Sequence, residues 1–85
     1  MSHSVIFDEK VLDFIANLQA DTRERILDKI SEAKENPHHF FERLSGRPDF
    51  KLRVGDYRLI ADIDDAAARI TFTYIAHRKS VYKKI

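Results

Sequence analysis

The segment from Phe50 to Ile63 constrains this chain more than any other, because apolar residues recur at every second position on both sides of a Gly-Asp pair: Phe50, Leu52 and Val54, then Tyr57, Leu59, Ala61 and Ile63. A period of two is that of a half-buried strand, and Gly-Asp between two such runs is a two-residue hairpin turn. Closing the loop on Gly55-Asp56 sets the register. Val54 then faces Tyr57, Arg53 faces Arg58, Leu52 faces Leu59, Lys51 faces Ile60 and Phe50 faces Ala61. Successive side chains of a pleated strand point to opposite faces, so the apolar set forms one face while Lys51, Arg53, Arg58 and Ile60 form the other. The hairpin is predicted to be apolar beneath and cationic above.

The rest of the chain is read around this hairpin. Ser4-Val5-Ile6-Phe7 is a short β-type run, and Val11, Leu12, Ile15 and Leu18 then recur at helical spacing, predicting a helix over about 9–19 with Asp8 as N-cap. Asp21 and Glu24 form a capping-box pattern at the head of a second helix, whose apolar face is Ile26, Ile30 and Ala33 with Leu27 beside it. Asn36-Pro37 stops that helix, since proline excludes helical geometry from the residue before it. Residues 37–49 read as a connector, and Ile70 to Ile75 as the third strand of a meander after a turn at 64–68. The order β-α-α-β-β-β predicts an α+β fold, an antiparallel sheet with an N-terminal helical hairpin packed on one face. With 85 residues, the chain is read as a single domain over 1–85.

Composition removes several function classes. There is no Cys, hence no disulfide framework, thiolate nucleophile or zinc ribbon. Only two glycines are present, so no glycine-rich phosphate loop exists, and Ser45-Gly46 lacks the strand–turn–helix setting of a nucleophile elbow. No apolar run approaches the roughly 18–20 residues of a membrane span, and the first ten residues have no basic segment leading into an apolar one. The expectation is a soluble, unexported chain with no membrane partner. Of the four histidines, His38 and His39 are adjacent and no third ligand stands at metal-site spacing, so no metal is expected.

Charge is distributed unevenly. Residues 1–42 carry five basic and nine acidic side chains, whereas residues 43–85 carry ten basic and five acidic. A basic half suits an anionic partner, although a solvated surface is the plain alternative. Arg53 facing Arg58 sharpens the choice, because like charges directly opposed on a strand pair destabilise it. Either the two guanidinium groups splay toward solvent or meet acidic partners such as Asp49 or Asp62, or the face is built to take an anion such as phosphate. Nearby, His77-Arg78-Lys79-Ser80-Val81-Tyr82 gathers an imidazole, a guanidinium, an ammonium and a phenol. Placed beside Lys51, Arg53 and Arg58, these groups would hold a phosphodiester and move protons, which is all that metal-free RNA cleavage requires, because the 2′-hydroxyl is a built-in nucleophile.

Three blocks, Leu44-Ser45-Gly46, Lys51 through Ile60, and His77-Arg78-Lys79-Ser80-Val81-Tyr82, together resemble the RelE/ParE superfamily of type II toxin–antitoxin toxins, over nearly the whole chain and with most similarity to the RelE branch. The resemblance implies the RelE-like toxin fold and a cytoplasmic, ribosome-dependent mRNA interferase. Such an enzyme inhibits translation by cutting messenger RNA in the ribosomal A site through 2′-hydroxyl attack, leaves a 2′,3′-cyclic phosphate, needs no metal or cofactor, and is neutralised by a cognate RelB-like antitoxin. It further implies roles for individual residues. Arg58 stabilises charge on the scissile phosphate, Tyr82 orients the substrate or transfers a proton, and Lys51 acts as base or charge stabiliser. Arg78 matches the C-terminal arginine as acid or charge stabiliser, with His77 competing for the acid role, while Arg53, Lys79, Lys83 and Lys84 join the RNA contacts. Two departures stand out: the spacing from Arg78 to Tyr82 is short, and Asp49 stands where another lysine can occur. The alternatives are a ParE-like inhibitor of DNA gyrase, which binds without catalysing, and a non-catalytic family member.

Overall fold

The computed structural model describes residues 2–78. The elements run β1 (Ser4–Phe7), α1 (Glu9–Ala16), α2 (Ala20–Ala33), α3 (Pro37–Phe40), β2 (Glu42–Arg43), β3 (Phe50–Val54), β4 (Tyr57–Asp64) and β5 (Arg69–His77). They build a five-stranded sheet of order β1-β5-β4-β3-β2. The β3–β4 hairpin has the register expected from its turn, from Val54↔Tyr57 out to Phe50↔Ala61. Gly55 supplies the positive φ of +57° that the tight turn needs, a region costly for residues with a Cβ.

The α+β arrangement is as expected, with one departure in the sheet and several in the connections. β2 through β5 are antiparallel, but β1 pairs parallel to β5, with Ser4 opposite Arg69 and Phe7 opposite Phe72. After the meander is laid down, β5 offers the free edge, and a first strand leading straight into α1 lies along it in the same direction. The connector over 37–49 contains structure of its own. Pro37 sits in the first turn of α3, where its missing N–H costs nothing, and Glu42 and Arg43 pair with Lys51 and Phe50.

α1 ends at Ala16 rather than near residue 19. Asn17 folds back, its side-chain amide donating to the Asp13 carbonyl at 2.8 Å, and the Arg23 guanidinium donates to the carbonyls of Ala16 (3.2 Å) and Leu18 (2.9 Å). Asp8 occupies the N-cap position of α1 without a side-chain cap bond. The capping box is not formed at α2 either. Its N-cap is Gln19, so Asp21 lies inside the first turn, where its carboxylate accepts from the Thr22 amide at 2.9 Å.

Val11 and Ile15 of α1 and Ile26, Ile30 and Ala33 of α2 pack over Leu52, Val54, Leu59, Ala61, Ile70, Phe72 and Ile75 of the sheet. Phe72 is fully buried, with the Phe7 ring stacked 5.4 Å away and Phe41 at 5.9 Å, and burial of such a ring contributes about 3 kcal/mol. Leu12 and Leu27 stay exposed. Residues on a helix advance by about 100°, so a short α1 that turns Val11 and Ile15 to the core leaves its neighbour Leu12 outside.

Candidate functional site

Among the described residues the helices cover one face of the sheet and not the other, which is called the open face although Ile60 and Ala76 on it are buried. Along β4 the alternation is regular: Leu59 and Ala61 are buried beneath the helices, while Arg58, Ile60 and Asp62 point to the open side. Along β5 it is interrupted. Ile60 pairs with Tyr74 but Ala61 pairs with Phe72, so Thr73 is an extra residue with no opposite number, and its hydroxyl donates to the Ile60 carbonyl at 3.4 Å. Such a β-bulge reverses which side chains face the core beyond it. Phe72 and Ile75 therefore both point inward, and Tyr74 and Ala76 both point to the open face.

Two rows cross the open face. One is Lys51–Ile60–Tyr74 and the other Arg53–Arg58–Ala76. The two arginines are directly opposed, and neither splays onto an acid. Asp49 is occupied by Arg47 in a two-point contact of 2.7 and 3.0 Å. Among the described residues neither Arg53 nor Arg58 has an ion-pair or side-chain hydrogen-bond partner. Without such a partner among the described residues, the two opposed guanidinium groups keep their donors available to solvent or to an external anion.

The other residues singled out in the sequence are not all beside them. Lys51 is on the face, but its ammonium lies 3.4 Å from the Glu42 carboxylate, which the β2–β3 pairing brings opposite. Glu42 escapes a reading of the sequence because β2, only two residues long, has no pattern of its own. His77 lies on the other side of the sheet. The bulge turns it toward the helices, where its ring meets Tyr57 edge-on at 4.9 Å and Tyr57 in turn meets Phe14 of α1 at 6.2 Å. Arg78 closes the hairpin mouth, its backbone amide donating to the Asp56 carbonyl at 2.7 Å. Lys79, Tyr82, Lys83 and Lys84 lie outside the described residues.

Beside the hairpin, an open groove of about 520 Å³ runs between α2 and β3, lined by Arg25, Asp28, Lys29, Glu32, Arg53, Val54 and Gly55. Its carboxylates offset its cations, so excess positive charge belongs to the sheet face that Arg53 shares with it.

A second polar cluster sits at the far end of the sheet. His38 Nε2 lies 2.9 Å, and His3 Nε2 3.1 Å, from the Asp65 carboxylate, linking α3, the segment before β1 and the β4–β5 turn. The hydrogen bond from His38 first, then that from His3, holds the Asp65 carboxyl below its usual range. No sequence spacing announces it, because its members come from three distant segments. Among the described residues no cluster of His, Asp and Glu has the arrangement of a metal site, and no helix is long and apolar enough to cross a membrane.

Comparison with known proteins agrees with this architecture. Residues 5–82 match the family model described as the ParE toxin of the type II toxin–antitoxin system parDE. The chain is similar in structure to one chain of the RelBE2 toxin–antitoxin complex from Mycobacterium tuberculosis, with TM-score 0.80 and 20% identity, over 92% of this chain and 93% of that one. It is similar to a doubly arginine-substituted variant of the E. coli toxin RelE in the free state, with TM-score 0.78 and 26% identity, over 98% of this chain and 93% of that one. It is also similar to a chain of the archaeal RelE–RelB complex from Pyrococcus horikoshii, with TM-score 0.78 and 21% identity, over 92% and 97%. No curated protein matches the sequence.

Proposed function

Because this chain belongs to the ParE toxin family of type II toxin–antitoxin systems, within the RelE/ParE superfamily, we propose that it acts in the cytoplasm as a ribosome-dependent messenger RNA endonuclease that halts translation. The observation that carries this reading is the opposed pair Arg53 and Arg58 on the sheet face away from the helices, without an ion-pair partner among the described residues. In the reaction the 2′-oxygen of the message attacks the adjacent phosphorus and gives up its proton, and the 5′-oxygen leaves and takes one. The products are a 2′,3′-cyclic phosphate and a 5′-hydroxyl. Negative charge grows on the non-bridging oxygens at the transition state, and Arg58, with Arg53 beside it, meets that charge with donors already in place. Lys51, anchored by Glu42, adds positive field rather than a free amine. Tyr82 orients the substrate or moves a proton, Arg78 acts as acid or charge stabiliser, and Lys79, Lys83 and Lys84 add cationic contacts to RNA. A cognate antitoxin of the RelB type neutralises the toxin by covering the cationic face, a role supported by the RelB complexes of similar toxins.

A second reading is favoured by the position of His77. With its ring packed on Tyr57 across the sheet from Arg58, one expected acid is withdrawn from the phosphate site, which suits a ParE-like inhibitor of DNA gyrase that binds without cutting. One experiment separates the two. Purified protein and its Arg58→Ala variant are added to a reconstituted translation system, message ends are mapped by primer extension, and gyrase supercoiling is assayed in parallel. Cuts in the A site that vanish with Arg58→Ala are expected; intact messages with blocked supercoiling would overturn the nuclease reading.

A further inference from the structure

Tyr74 is a large aromatic side chain left 50% exposed in the middle of a sheet, with no ring contact or side-chain hydrogen bond among the described residues. Its place is produced by the bulge. With Phe72 buried, simple alternation would send Tyr74 into the core and Ile75 out; the extra residue Thr73 sends Ile75 in and Tyr74 out. Bulges are over-represented beside functional sites because they re-aim a side chain in this way. Here the ring is aimed at the cationic face. It shares a row with Lys51, across Ile60, and stands two residues from Ala76, the neighbour opposite Arg58, hence about 7 Å along the strand from the arginine row. Ile60, itself buried, is the apolar residue between Tyr74 and Lys51 in that row.

We propose that Tyr74 is a stacking platform for one base of a single-stranded RNA whose neighbouring phosphate is held by Arg58 and Arg53. This assignment deepens the nuclease reading and rests on it. Single-stranded RNA is bound by cationic side chains along the backbone and by aromatic faces beneath splayed bases, and this face presents both within the reach of one nucleotide. Its positive charge selects a nucleic acid over an apolar peptide as the occupant. Stacking tolerates any base, so Tyr74 contributes affinity and base orientation without dictating sequence.

The test uses ribosomes programmed with a short message that carries 2-aminopurine beside the cut site and a 2′-O-methyl group at the attacking position, so that the message stays whole. Wild-type protein and Tyr74→Phe quench the 2-aminopurine fluorescence, whereas Tyr74→Leu leaves it bright and binds the programmed ribosome about tenfold more weakly, the scale of one lost base–aromatic stack. Because the ring is half exposed, Tyr74→Leu melts with the wild type, which is checked by circular dichroism. Unchanged quenching and affinity in Tyr74→Leu, with normal cutting of unmodified message, would overturn the stacking role and leave the nuclease reading standing. No quenching and no cutting by the wild type would overturn both. A Tyr74→Leu variant that loses affinity for the antitoxin while keeping the RNA signal would overturn it in favour of a protein-docking face.

Discussion

Replacing Arg58 with Gln is expected to make the protein more stable while it removes activity. Arg53 and Arg58 are directly opposed and have no ion-pair partner among the described residues, so each raises the energy of the other. For two unit charges about 6 Å apart in a water-like dielectric, Coulomb's law gives about 0.7 kcal/mol, inside the range measured for opposed like charges on strands. For a domain of this size, that energy raises the melting temperature by about 3–6 °C. At 1 M salt the screening length shrinks to about 3 Å, so the gain falls to less than about 1 °C. Arg53→Gln produces a similar gain, and the double variant adds little to either, because removing one charge already ends the repulsion. The assay is thermal unfolding followed by circular dichroism at low and high salt, beside the primer-extension assay. If Arg58→Gln melts at or below the wild-type temperature at low salt, or keeps its gain at 1 M salt, the opposed charges are not a stability cost.

Two further outcomes follow from the geometry. Asp65 has its carboxyl held below the ordinary value by His38 and His3, so the cluster contributes stability that is present above the unfolded-state pKa and lost as the pH falls through the folded one; Asp65→Asn should melt lower than wild type at neutral pH, with the difference closing in acid below about pH 4. A gap that persists in acid would show that the carboxylate charge is not what holds the cluster. His77→Gln should lower the melting temperature by loosening the Tyr57–Phe14 edge of the core, while cleavage, measured on the folded variant, stays within a few-fold of wild type; a loss of cleavage as deep as that of Arg58→Ala would return His77 to the site.

The hairpin is legible in the sequence because its information is local. A two-residue turn leaves one register, and that register by itself opposes Arg53 to Arg58. The faces of β5 are not legible, since Ile70 to Ile75 reads as ordinary alternation and nothing marks Thr73 as the extra residue. The bulge turns the wholly apolar Ile75 inward and spares the Tyr74 hydroxyl burial without a hydrogen-bond partner. That choice also carries His77 to the face opposite Arg58. Alternation places Lys51 correctly on the cationic face, yet its partner Glu42 comes from a strand too short to announce itself. The parallel β1 edge and the His3–Asp65–His38 cluster join segments far apart in the chain, where no local rule reaches.

The parallel seam between β1 and β5 also sets a schedule for synthesis. Val5 and Phe7 are made long before the strand they lie against, and Phe72, on which Phe7 stacks, comes with that strand. Pairings of such long sequence separation form late, since the loop entropy is met before the contacts reward it. β5 is also the strand that carries Tyr74 and completes the arginine row. A nascent chain therefore acquires its stable core and its finished cationic face in the same event, once β5 has been made. Fragments released earlier have neither.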